Sequence, residues 1–189
     1  MSSRGRWVYL RALDIEDYVL VNKWRNDDEI QSLTGGNRYY VSSAMEKKWV
    51  EEKALDNSKD MYWAICLRET DEMIGYMSIN NIDWRNRKAD WGGIVVGERA
   101  HRSRGYASEA SYLMMEYVFC ELGLHRLTGR WLQEHETSML LGKMLGFRQE
   151  GILRDSVYKN NAFHNVVVMS ILESEFAEVR QDYETGVSR

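Results

Sequence analysis

Short runs of apolar residues with β-rich composition dominate this chain, and runs with helical spacing fall between them. "WVYLRAL" (7–13) reads as a first strand. Asp14 can cap a helix that follows through Tyr18, Val19 and Trp24. "TGGN" (34–37) interrupts the pattern, and Ser43 with Glu46 has the spacing of a capping box ahead of a helix carrying Trp49 and Val50. "MYWAICL" (61–67) and "MIGYMSI" (73–79) form a hairpin across "ETDE", and "ADWGGIVV" (89–96) continues the series after a polar turn. Gly92 and Gly93 would weaken an ordinary strand, so they predict a bulge or a close backbone approach. From Gly105 a helix runs through Ala107, Ala110, Met114, Tyr117 and Val118 to Gly123. A strand over 125–132, a helix over 137–147 stopped by Gly146, and a closing hairpin across "KNN" (159–161) complete the order.

No linker, repeat or low-complexity segment divides this succession. One α/β domain over residues 1–189 is expected, with the stretch from about 174 at its periphery. At 44% hydrophobic, 189 residues can bury one compact core. With 25 basic and 29 acidic residues the formal charge is −4, which supplies no general field for a nucleic-acid backbone. No run reaches the ~20 apolar residues of a membrane span. Cys66 and Cys120 lie in apolar runs and read as buried thiols, in keeping with a reducing cytoplasm. Proline is absent, and nothing in the physics of the sequence accounts for that.

The acidic balance makes one segment stand out. "HRSRGYASEA" (101–110) puts Arg102 and Arg104 with Ser103, Gly105 and Ala107 just ahead of a helix. A helix N-terminus leaves N–H groups unpaired and carries partial positive charge, so a turn of small residues lets a phosphate reach them. A solvated basic turn is the plainer alternative for these residues taken alone.

Their context favours the first. A strand with a glycine bulge, then this turn, a helix, a strand and a second helix ending in "LGF" resembles the GNAT superfamily of acetyl-CoA-dependent N-acetyltransferases. "VYLRALDIEDY", "KWRNDDEI", "IGYMSINNID", "MLGFRQEGILRDSVY" and "VVVMSILESE" look like its branch of ribosomal-protein, spermidine and amino-sugar acetyltransferases. The resemblance implies an α/β (α+β) GNAT-like fold. It has a mixed, mostly antiparallel central sheet of about seven strands, a bulged and splayed fourth strand, and four main helices. It also implies that the turn Arg102, Ser103, Arg104, Gly105, Tyr106 and Ala107 cradles the coenzyme A pyrophosphate. Arg102, Gly105 and Ala107 match the defined positions of Q/R-x-x-G-x-G/A, and Ser103 replaces a commoner glycine. Ile94, Val95 and Val96 would offer main-chain groups to the pantetheine arm.

Acetyl transfer needs a neutral amine, and an alkylammonium with pKa about 10 must lose a proton, often through water. Asp90, ahead of the bulge, is the first candidate base, with Trp91 taking its position if the register shifts by one. His164 is the second, with Tyr158 as its polar neighbour across the hairpin. Where the family often has N-x-x-S-x-x-x-Y, the residues are His135, Ser138 and Gly142, so the acid tyrosine is missing and Ser138 is the natural substitute. His135, Ser138 and Gly142 are expected to contact the coenzyme, with Gly142 leaving room for it. No metal is expected.

The acceptor is a small-molecule amine (polyamine or amino sugar) or a protein N-terminus, with no nucleic acid or membrane partner. The resemblance leaves room for a homodimer. "NDDEI" (26–30) would attract a cation, or is a solvated helix end, and Trp24, Trp84 and Trp91 would stack a sugar or fill the core. A coenzyme-binding protein without turnover and an interaction module without coenzyme are the competing functions.

Overall fold

A computed structural model describes residues 5–35 and 40–185. The chain runs β1 (Val8–Ala12), α1 (Tyr18–Arg25), α2 (Asp28–Leu33), α3 (Ser43–Leu55), β2 (Met61–Leu67), β3 (Met73–Asp83) and β4 (Lys88–Val96). It continues through α4 (Tyr106–Glu116), β5 (Arg126–Leu132), α5 (Glu136–Met144), β6 (Arg148–Lys159), β7 (Ala162–Leu172) and α6 (Glu173–Thr185). The seven strands form one sheet in the order β1-β2-β3-β4-β5-β7-β6. Only β4 and β5 pair in parallel. The expected mixed sheet is therefore present, and the helices number six among the described residues rather than four.

The two additions have local causes. Asp27 caps α2 by accepting from the Ile30 N–H at 2.9 Å, so part of "NDDEI" starts a helix. α6 follows β7 directly and sinks Phe176 and Val179 into the core, which corrects the expectation of a peripheral stretch from about 174. The cap of α3 is Ser42, whose hydroxyl accepts from the Met45 N–H at 3.2 Å. Ser43 is instead the first helical residue, and Glu46 is buried against Arg25. Gly36 and Asn37 of the expected break lie outside the described residues.

The period of two along β2 sorts the core. Ala64 and Cys66 face the layer of α1, α2 and α3, with Trp24, Val21, Ile30 and Val50, whereas Ile65 faces the layer built on α4 and α6. Cys120, expected to be buried, is exposed. A π-helical turn over Tyr117–Glu121 widens the end of the helix, and Cys120 there lies beside the Arg180 guanidinium at 3.7 Å. The closing hairpin turns on Asn160 and Asn161, both at positive φ (50° and 62°), the backbone that two-residue β turns require.

Candidate active site

The central feature is where β4 leaves β5. Lys88, Ala89 and Asp90 pair with Arg126, Leu127 and Thr128, and no pairing follows. On the other side, Ser78 opposes Gly93 and Ile79 opposes Trp91, so Gly92 is the extra residue of a bulge. Gly93 has φ +107°, a conformation L side chains rarely adopt. A side chain on Gly92 would strike Ser78 Oγ and Asn80. The predicted bulge and splay are thus both present, and a cavity of about 630 Å³ opens between the parted strands.

Alternation fixes which backbone groups line it. Gly97 N–H donates to Ile74 C=O at 2.8 Å, so Val95 turns its groups toward β3, and Ile94 and Val96 turn theirs away. Val96 C=O accordingly accepts from Arg102 Nε at 3.1 Å. Ile94 keeps its main-chain donor and acceptor for whatever enters the gap.

The turn before α4 forms the second part. Ser103 (φ +58°) and Gly105 (φ +82°) are left-handed, and a Cβ on Gly105 would point into open space. The N–H groups of Ser103, Arg104 and Gly105 form no regular hydrogen bond among the described residues. Those of Tyr106, Ala107 and Ser108 belong to the first helical turn, whose donors have no intrahelical partner, and no side chain caps them. Six consecutive donors therefore stand at the positive end of α4, which fits an anion. The Arg102 side chain departs from expectation. Its remaining nitrogens donate to Gly97 C=O (2.8 Å) and pair with Glu29 (3.0 Å), so it braces the end of β4.

Asp90 lies in the cavity wall, 28% exposed. Its Oδ2 accepts from Asn81 Nδ2 (3.0 Å) and Arg130 (3.1 Å), and Oδ1 has no partner among the described residues. Trp91, also in the wall, packs edge-on against Trp131 (centroids 5.6 Å) and beside Phe147 and has a buried Nε1 without a partner among the described residues; an indole N–H only donates, so of the two the aspartate alone can accept a proton. Ser138 also lines the cavity, one helical turn beyond His135, whose Nε2 sits 3.2 Å from Ser32 C=O.

Three other expected site residues stand elsewhere. His164 has both ring nitrogens engaged, Nδ1 with Glu134 (2.9 Å) and Nε2 with Lys159 C=O (3.0 Å), and is not in the cavity wall. Its hydrogen bond to Glu134 raises its pKa. Tyr158 donates to Asn161 Oδ1 at 2.7 Å and is exposed. Gly142 is buried because a Cβ there would come within 2.9 Å of Met169 and 3.1 Å of Trp131. What lies along its Cβ direction is the protein's own core rather than open space. Trp24 is buried, Trp84 is exposed and bonded to Ser58 C=O, and "NDDEI" contributes nothing to the cavity wall.

Several wall residues escaped the sequence reading: Arg25, Trp49, Tyr62, Tyr76, Asn80 and Arg130. Burial pushes the Tyr76 phenol up to about 12. Tyr76, Ser78 and Asn80 alternate with buried Met77 and Ile79, a polar face of β3 that the period of two could have shown.

Residues 8–148, well over half the chain, match the family described as acetyltransferase (GNAT) domain. The chain belongs to the GNAT acetyltransferases. The uncharacterized N-acetyltransferase p20 of Bacillus licheniformis is 30% identical over 170 residues, 89% of this chain and 94% of that protein. The putative ribosomal N-acetyltransferase YdaF of Bacillus subtilis (strain 168) is 32% identical over 167 residues, 88% and 86%. Among solved structures, spermidine N-acetyltransferase from Vibrio cholerae in complex with CoA and spermine superposes with a TM-score of 0.84, covering 92% of this chain and 99% of that one at 21% identity. That likeness establishes the GNAT fold. Among the described residues no helix is long and apolar enough to cross a membrane, and no group of three or more candidate metal ligands is found.

Proposed function

We propose that this GNAT protein transfers an acetyl group from acetyl-CoA to a primary amine by direct attack, with both substrates bound at once. One observation carries the reading: β4 parts from β5 after Asp90, and the same strand leads, after Val96, into a turn where six consecutive N–H groups at the start of α4 have no regular partner among the described residues. The structural relative that holds CoA and spermine supports it.

Acetyl-CoA supplies the acyl carbon and a thiolate leaving group, already a fair one at free-thiol pKa about 8.5. The α4 turn receives the diphosphate, and Ile94 pairs its main chain with the pantetheine amides. The free Oδ1 of Asp90 takes the ammonium proton directly or through water, while Asn81 and Arg130 hold the carboxylate in place. As the new C–N bond forms and the C–S bond breaks, the nitrogen releases its second proton to solvent, the Ser138 hydroxyl hydrogen-bonds the departing sulfur, and the thiolate takes a proton from solvent. Holding two substrates at attack distance supplies much of the acceleration. Polyamines, amino sugars and protein N-termini are the acceptor classes to compare.

A coenzyme-binding protein without turnover is the second reading, favoured by the buried Gly142, which leaves no place for an acid side chain. Thiol release with acetyl-CoA and an amine panel separates the two. Release above the hydrolysis background supports transfer, and a thermal shift with coenzyme A but no release supports binding alone.

A further inference from the structure

The far end of the cleft is built from side chains of four elements. Arg25 closes α1, Trp49 lies on α3, Tyr62 on β2 and Tyr76 on β3. One terminal nitrogen of Arg25 donates to Glu46 Oε1 at 2.9 Å, and its guanidinium carbon sits 4.8 Å from the Trp49 ring centre. Glu46 is wholly buried and its Oε2 has no hydrogen-bond partner among the described residues, so the one contact through Oε1 is what holds the arginine in place. Nε and the other terminal nitrogen of Arg25 make no hydrogen bond among the described residues. The side chain is 33% exposed and forms part of the cavity wall. An arginine held on one side, stacked on a ring and left with free N–H groups is suited to a carboxylate.

The opposite end of the same β3 face offers the complement. Asn80 pairs directly with Asp90, lines the cavity, and has a buried Oδ1 without a partner. That acceptor suits an amine N–H beside the candidate base. Tyr76 and Asn80 are four residues apart, about 13 Å of strand, so the two anchors would meet opposite ends of one extended molecule. A polyamine fits less well. Among the described wall residues the formally charged side chains are Arg25, Asp90 and Arg130, and Asp90 is already bound to Arg130. No second carboxylate waits there for a second ammonium. The acidic "NDDEI" is spent outside the cavity, with Asp27 capping α2 and Glu29 bound to Arg99 and Arg102.

We infer that the acceptor is a small primary amine carrying a carboxylate at its far end, its amine placed between Asn80 and Asp90 and its carboxylate on the free N–H groups of Arg25. This rests on the acetyl-transfer reading and narrows its substrate class.

The test compares ω-amino acids from 3-aminopropanoate to 6-aminohexanoate with their amides and with spermidine, following thiol release as kcat/KM. At least one acid should exceed its amide by tenfold or more. Arg25→Lys keeps the partner of Glu46 but loses the planar fork, and should cut that preference severalfold. The pair Arg25→Met with Glu46→Gln removes both charges without stranding one, and should bring the ratio of acid to amide close to one. Equal use of acids and amides, a preference for spermidine, or a ratio untouched by the variants would overturn the inference. Transfer to no member of the panel would overturn it as well. A thermal shift with coenzyme A on the same sample then shows whether the donor half of the reading stands alone.

Discussion

The two parts of the candidate site are made of different materials. The part proposed for the donor is backbone: a bulge at Gly92 and the main chain of Ile94 in the cleft, and beyond the cleft wall the N–H groups of residues 103–108. The part proposed for the acceptor is side chain, with Arg25, Trp49, Tyr62 and Tyr76 at one extreme of the β3 face and Asn80 at the other. A backbone site needs only small residues at set spacing, so it fits one ligand shape and tolerates many sequences. A side-chain site can change its ligand by single substitutions. On the acetyl-transfer reading proposed above, the backbone part serves the shared donor and the side-chain part selects the acceptor.

That contrast breaks most sharply at Asp90, which pairs with Asn80 just ahead of the bulge. Asp90→Asn keeps the size but removes the proton acceptor, and kcat/KM should fall about 10²- to 10⁴-fold with coenzyme A affinity unchanged. Steady-state thiol release and calorimetry check both halves. An equal loss of coenzyme binding would mean that the aspartate serves the donor part.

The donor part has a structural dependence of its own. Glu109, buried in the first turn of α4, accepts from the backbone N–H groups of Arg6, Trp7 and Val8 and from the Tyr183 hydroxyl. Glu109→Ala strands donors that each cost about 1–3 kcal/mol when unsatisfied. A loss of about 3 kcal/mol in denaturant unfolding is expected. A loss below about 1 kcal/mol would show that water replaces the carboxylate.

Gly105→Ala forces a Cβ into the left-handed region at φ +82° and into the space before the helix. Coenzyme A should bind about tenfold more weakly, while the acceptor KM stays as it was. A change in acceptor KM alone would contradict the division between the parts. Gly142→Ala should leave coenzyme affinity unchanged, because its neighbours are Met169 and Trp131, and should alter stability by no more than about 1 kcal/mol.

The smallest effect belongs to His164, outside the cleft. Its hydrogen bond to Glu134 raises its pKa above the usual 6.5. The folded state thus holds the proton more tightly than the unfolded one. The stabilisation is fully present below 6.5 and is lost as pH rises through the raised folded value. The difference in unfolding midpoint between the native chain and His164→Gln should therefore shrink from pH 5.5 to pH 9. Growth of that difference with pH would contradict the pairing.

The same division explains what could be read from sequence. The strand series, the double-glycine bulge and the "RSRGYA" turn were legible because local backbone needs dictate residue type at fixed spacing. Asp90 was legible through its place beside the bulge. Its partners Asn81 and Arg130 were not, because they arrive from other strands. Arg102 shows the limit of a motif: the position matched, but Val96, Gly97 and Glu29 occupy its donors. His164 and Tyr158 looked chemical because of residue type and their place at the closing hairpin, but Glu134, the Lys159 carbonyl and Asn161 engage their polar atoms. Gly142 was read as room for a ligand when Trp131 and Met169 fill that room. Arg25 and Glu46 were invisible as a pair, since one ends α1 and the other begins α3.

A crystal structure with coenzyme A bound tests the central claim most directly. The expected result is diphosphate oxygens within hydrogen-bond distance of N–H groups among residues 103–108, with the pantetheine chain beside Ile94 in the gap between β4 and β5. A diphosphate held by side chains elsewhere, or a gap closed by Trp91 and Trp131 while the coenzyme sits outside it, would contradict the account.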